Sequence, residues 1–259
     1  MRNMLGKLFL VGTLLGATLT AAAQQSNRTI HVFVALCDNA NQGIVPVPAE
    51  LGNGADPAHN LYWGARYGVK TWFRQSSGWE LRQCWAKPRD GVLERCLFQN
   101  QKLKLNLIAD AYAGTCIRAA IGDFLKACAG AKPIIKSDDP ASRLTDTAEL
   151  IAYVGHNGLM EFSLPLPGPS PVRGRDAVVL ACSSKNYFPA LLQRTRSRAM
   201  LLTRGFMAPE AYTLDAAVTA WATGASAEIV RQQAAAAYDK HQKCGLANAL
   251  RLFWSEDKP

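Results

Sequence analysis

The chain has 259 residues, 49% of them hydrophobic and 19% charged, with 29 Lys and Arg against 20 Asp and Glu for a net charge of +9. That apolar share excludes an intrinsically disordered chain, and no run beyond the N-terminal segment is long and apolar enough for a transmembrane helix. The basic residues are scattered, with mild clustering at 172–175 (VRGR) and 194–198 (RTRSR). No aromatic-interleaved basic stripe or nucleic-acid motif accompanies them, so no nucleic-acid partner is expected.

The first segment, MRNMLGKLFLVGTLLGATLTAAAQQ, carries Arg2 and Lys7 ahead of an apolar stretch from Leu8 to Leu19, then Ala21-Ala22-Ala23. A basic start, a short apolar centre and an A-x-A site are the marks of a secretory signal peptide. We therefore expect residues 1–23 to be removed on export and a secreted or periplasmic mature chain with no stable membrane insertion. Loss of Arg2 and Lys7 lowers the net charge to +7. Residues 24–259 show no composition break and are expected to form one domain.

From Arg28, TIHVFVALCDN is a β-branched and apolar run that predicts a strand with Cys37 and Asp38 at its exit. The Pro-, Gly- and Asn-rich stretch from Asn41 to Asn60 reads as a loop, and Leu61–Phe73 is loosely helical in period. WELRQCW and VLERCLF flank a Pro-Arg-Asp-Gly turn, which predicts a hairpin. KLKLNLIADAYAG begins as a strand, and GTCIRAAIGDFLKACAG is helical, with Ile117, Ala120, Ile121, Phe124, Leu125 and Cys128 on one side. AELIAYVG and DAVVLAC are strands separated by the Pro-rich link FSLPLPGPSPVRGR. NYFPALLQRTRS starts a helix or a broken one, and RAMLLTRGF is strand-like. PEAYTLDAAVTAWATG and SAEIVRQQAAAAYDKHQK are helices, the second with Ser226 as N-cap. Strands alternating with helices predict an α/β domain with a mostly parallel central sheet.

Seven cysteines, at 37, 84, 96, 116, 128, 182 and 244, leave at least one outside any set of intrachain disulfides. Export permits disulfides. Cys84 and Cys96 are equidistant from Asp90, so they are candidates to face each other across the hairpin; connectivity among the rest stays open.

Chemistry in an open α/β sheet collects at the carboxyl ends of the parallel strands. LIAYV ends on Gly155-His156-Asn157-Gly158, and AVVLA ends on Cys182-Ser183-Ser184. If those strands are parallel neighbours, His156 and Cys182 emerge at one rim, and a thiol beside an imidazole is the minimum for covalent acyl transfer. Gly158 leaves room for a substrate carbonyl, and its N–H is a candidate oxyanion donor. Ser183 and Ser184 are candidate caps of a helix that would lower the Cys182 pKa. The bland alternative is a buried or disulfide-bonded cysteine and a hydrogen-bonding turn histidine. Zinc held by His156, Cys182 and Asp38 is disfavoured, because no chelating His or Cys spacing supports it. His31 lies within the first strand, His59 in a loop, and His241 at the end of a helix, where a cation would suit the dipole.

The segments LIAYVGHNG and AVVLACSS resemble the His-Gly and Ala-Cys strand ends of the caspase-like clan of cysteine peptidases, which includes caspases, metacaspases, legumains, clostripain and gingipains. The motif-bearing resemblance covers about residues 148–190; elsewhere the likeness is in element order. It implies a three-layer caspase-like α/β sandwich, His156 as catalytic histidine, Cys182 as nucleophile and Gly158 near the oxyanion region. Asn157 separates His156 from Gly158 where the clan has them adjacent, and Leu180 stands where metacaspases carry an acid. Asp38 is the substitute candidate for a substrate-binding acid. The expectation is an exported thiol hydrolase, a cysteine endopeptidase acting on a peptide or protein substrate without metal or organic cofactor. The alternative is a non-catalytic, disulfide-stabilised periplasmic binding or scaffold protein with a peptidase-like fold.

Overall fold

The computed structural model describes residues 27–130, 141–165 and 174–256. The expected signal segment 1–23, and residues 166–173 of the Pro-rich link, lie outside the described residues.

The β-branched run at the start forms β1 (Arg28–Ala35), whose residues alternate between two apolar layers. Ile30, Val32 and Val34 face one, while Phe33 and Ala35 face the other. Sides buried on both faces are what a central strand requires. The helical period over 61–73 resolves into turns followed by the short α1 (Val69–Gln75). The hairpin follows as β2 (Glu80–Arg89) and β3 (Val92–Asn100). Pro88 sits in β2, and that strand lies at the sheet edge, where a missing N–H costs no ladder bond. Cys84 pairs directly with Cys96 across the hairpin and forms a disulfide with it, leaving Cys37, Cys116, Cys128, Cys182 and Cys244 as free thiols.

β4 (Leu105–Tyr112) leads into α2 (Ile117–Cys128), which buries Ile117, Ala120, Ile121, Phe124, Leu125 and Cys128. Each large apolar side chain taken from water there contributes about 1.5–3 kcal/mol. After α3 (Ala141–Asp146) come β5 (Ala148–Val154) and β6 (Asp176–Leu180). The helix expected over 186–197 is broken at Pro189 into α4 (Ser184–Tyr187) and α5 (Pro189–Arg194). β7 (Arg198–Thr203), α6 (Ala211–Ala222) and α7 (Ala227–Gln242) follow, and the Ser226 hydroxyl caps α7 by accepting the Ile229 N–H. α8 (Leu246–Leu252) continues the helical C-terminal part, and the two-residue β8 (Phe253–Trp254) is an addition that no strand pattern in the sequence signalled.

The eight strands form one sheet in the order β2-β3-β4-β1-β5-β6-β7-β8. β4, β1, β5, β6 and β7 run parallel, while β2, β3 and β8 join antiparallel. The sheet is therefore mixed rather than mostly parallel throughout: the β2–β3 hairpin adds antiparallel strands at one edge, and β8, reached through α6, α7 and α8, adds one at the other. α1, α6 and α7 pack in one apolar cluster, α2 and α5 in the other. Strand order reverses at β1, which pairs with β4 on one side and β5 on the other. That reversal opens a crevice at the carboxyl ends, the usual place for a ligand in an open sheet.

Candidate active site

Val34, Val154 and Leu180 lie in register across β1, β5 and β6. The chain positions two residues further on, Leu36, His156 and Cys182, leave the sheet together at its carboxyl rim. β5 and β6 are parallel neighbours, so the condition on which the His156/Cys182 pairing depended is met. Gly155 makes the exit of β5 possible. Its φ is +145°, its N–H donates to the Leu180 carbonyl at 3.2 Å, and a Cβ there would lie 2.7 Å from the Ala35 carbonyl oxygen. Only glycine adopts that conformation without strain.

His156 is buried, and its Nε2 lies 2.5 Å from Oε1 of Glu161. The same oxygen accepts the Gly43 N–H at 2.7 Å. A carboxylate orienting an imidazole is the relation that fixes a catalytic histidine in a triad. The His156 carbonyl accepts the buried Tyr153 hydroxyl at 2.7 Å, so both ends of the residue are held. Glu161 escaped the sequence reading. The available signal was an acid five residues beyond the histidine in GHNGLME, brought back by the 3-10 turn Gly158–Met160.

Cys182 is half-buried and free. Its Sγ accepts the Met207 N–H at 3.4 Å and donates to the Met207 carbonyl at 3.6 Å. Asn157 spans the two loops, because its Nδ2 donates to the Cys182 carbonyl at 2.7 Å while its Oδ1 accepts the Leu159 N–H. The residue separating His156 from Gly158 thus ties the histidine loop to the cysteine loop. No hydrogen bond joins His156 to Cys182 among the described residues.

Gly158, expected as an oxyanion donor, gives its N–H to the His156 carbonyl at 3.2 Å. Its lack of a side chain has a packing cause: a Cβ would meet the Phe162 ring at 2.6 Å and Ile117 Cδ1 at 3.1 Å. Ser183 and Ser184 do not act as the expected caps. Ser183 is left-handed (φ +51°) with no capping bond, its N–H donating to Gly205, and α4 has only four residues. The Ser184 hydroxyl is buried against the Val179 carbonyl and Thr203.

Asp38 lies at the β1 exit, but its carboxylate serves its own loop. Oδ1 accepts the N–H groups of Ala40 and Asn41, and Oδ2 accepts Asn41 Nδ2. Gly54 and Gly114 pack so closely against it that a Cβ on either would lie within 2.4 Å of an Asp38 atom. Beside it, burial pushes the Cys37 thiol up to about 11, with the Tyr62 hydroxyl as its hydrogen-bond partner opposing that rise. Burial likewise raises Tyr62 well above the usual phenol range, so both groups stay protonated at neutral pH.

The remaining histidines serve elsewhere. His31 is buried against Asp110, and His59 is exposed between Asp56 and Glu50. His241 stacks on Tyr212 with ring centroids 4.0 Å apart, and burial, followed by the neighbouring Lys240, lowers its pKa. That opposes the dipole-stabilised cation expected from its place at the helix end. Among the described residues, the one close group of three possible metal ligands is Cys84, Glu94 and Cys96, and two of those sulfurs form the disulfide. Against known protein families, curated proteins and solved structures alike, the chain has no match.

Proposed function

We propose that this chain is an exported thiol hydrolase, a cysteine endopeptidase with a three-layer caspase-like sandwich, in which Cys182 is the nucleophile and His156 its proton partner. The observation that carries the reading is the pairing of β5 and β6 as parallel neighbours, with a free thiol and a carboxylate-held imidazole at their common rim. Helices packed on both faces of the sheet are compatible with the sandwich.

In this reading the Cys182 thiolate adds to the scissile carbonyl carbon. The C–N bond breaks as the His156 imidazolium gives its proton to the leaving amine, leaving a thioester. Water, deprotonated by His156, then hydrolyses the thioester and restores the thiol. Glu161 holds the ring through both steps. Sγ donates to the Met207 carbonyl in this structure, so attack requires Sγ to leave that carbonyl.

A second reading draws on the internal partners of Gly158 and Cys182: a non-catalytic, disulfide-stabilised binding or scaffold protein of the same architecture. One experiment separates the two. Native mature protein is labelled with iodoacetamide from about pH 5 to about pH 9, the range in which histidine and cysteine titrate. The labelled sites are mapped by mass spectrometry for wild type and His156→Ala. Fast labelling of Cys182 at the acid end that slows in His156→Ala supports the peptidase and leads to a peptide-library screen. An unreactive Cys182 in natively folded protein removes the catalytic reading.

A further inference from the structure

A cavity lies between α6 and α7 and has a volume of about 470 Å³. Its walls include Trp72, Tyr212, Asp215, Ala216, Lys240 and His241. That is within the size range of small-molecule sites. Ala216 adds little bulk to the lining, and the Tyr212–His241 stack supplies a flat apolar wall. Trp72 stands edge-on to both rings, at 5.9 and 5.5 Å between centroids.

The charges are what single this cavity out. Each Asp215 oxygen accepts an indole N–H, from Trp72 and from Trp79, at 3.0 Å. Among the described residues no Lys, Arg or His forms an ion pair with it, although Lys240 lines the same space. Burial raises the Asp215 pKa, the strain expected of a half-buried carboxylate without a counter-cation. A cation entering the cavity would meet that carboxylate and the electron-rich ring faces beside it, and an anion would meet Lys240.

We propose that this cavity binds a small zwitterionic amine of amino-acid type, with its ammonium at Asp215, its carboxylate toward Lys240 and its apolar part against the Trp72, Tyr212 and His241 rings. The site does not depend on the His156/Cys182 reading: among the described residues no hydrogen bond or ring contact joins its lining to His156 or Cys182.

Calorimetric titration of the full mature chain with phenylalanine, phenethylamine and 3-phenylpropionate tests it. Phenylalanine is expected to bind most tightly. Asp215→Asn should weaken phenylalanine and phenethylamine by about tenfold, the change expected for one lost charge contact, and leave phenylpropionate unchanged. Lys240→Ala should weaken phenylalanine and phenylpropionate but not phenethylamine. Ala216→Leu, which keeps helix propensity and fills the space, should abolish all three and serves if Asp215→Asn does not fold. Absence of saturable heat with phenylalanine, or equal binding by wild type and Ala216→Leu, overturns the proposal.

Discussion

Asp110→Asn gives the sharpest test of how this fold is held together. Asp110 is fully buried in β4 and bonds Arg95 in β3 through both oxygens, Oδ1 to Nε at 2.6 Å and Oδ2 to Nη2 at 2.7 Å. His31 of β1 adds a third contact, Nε2 to Oδ2 at 3.0 Å. Arg95 and His31 are almost fully buried, so three strands share one charge cluster out of water. An amide at position 110 keeps the shape but takes away the Asp110 charge that the Arg95 guanidinium bonds through two of its nitrogens. Removing one partner of a buried ion pair costs about 3–5 kcal/mol, against a total stability of about 5–15 kcal/mol for a domain. Urea unfolding followed by tryptophan fluorescence at neutral pH should show a loss of that size with an unchanged slope. The double variant Asp110→Leu/Arg95→Met removes both charges and should regain most of it.

The same cluster has a definite pH signature. Burial would raise the Asp110 pKa, but Arg95 and His31 together outweigh burial and hold the carboxyl far below the usual range. Burial lowers the His31 pKa, and Asp110 only partly opposes it. Both groups bind protons more readily in the unfolded chain, so stability falls as pH drops below about 6.5 for His31 and further below about 3.9 for Asp110. A loss under about 1 kcal/mol in Asp110→Asn, the range of exposed ion pairs, would refute the buried cluster.

Reducing Cys84–Cys96 under native conditions should lower stability by about 2–3 kcal/mol, the loop-closure value for a short loop, and the comparison of Tm with and without reductant measures it. Gly155→Ala forces a Cβ against the Ala35 carbonyl at a positive φ and should cost about 1–3 kcal/mol, read by urea unfolding; an unaltered midpoint would contradict the exit geometry of β5. Glu161→Gln leaves the chain folded but loosens the His156 ring. If His156 assists the thiol, iodoacetamide labelling of Cys182 should slow in that variant at neutral pH while urea stability changes by less than about 1 kcal/mol.

Local pattern was enough for much of this molecule. The runs TIHVFVA, LIAYV and AVVL are strands because β-branched and apolar residues fill a two-sided buried surface. Cys84 and Cys96 meet because a hairpin register is set by its turn, and Ser226 caps α7 because its hydroxyl reaches an N–H three residues on. What local pattern could not decide is which strands are neighbours. β1 bonds β4 and β5, placing Thr29 beside Asn106 and Ala148, and nothing within any one of these segments encodes that distance along the chain. Tertiary structure alone brought His31, Arg95 and Asp110 together from three separate strands. It likewise turned Glu161 back onto His156, gave the Gly158 N–H to a turn and buried Asp38 in its loop. Those outcomes depend on long-range packing and on which buried polar groups find partners, and only the assembled sheet supplies either.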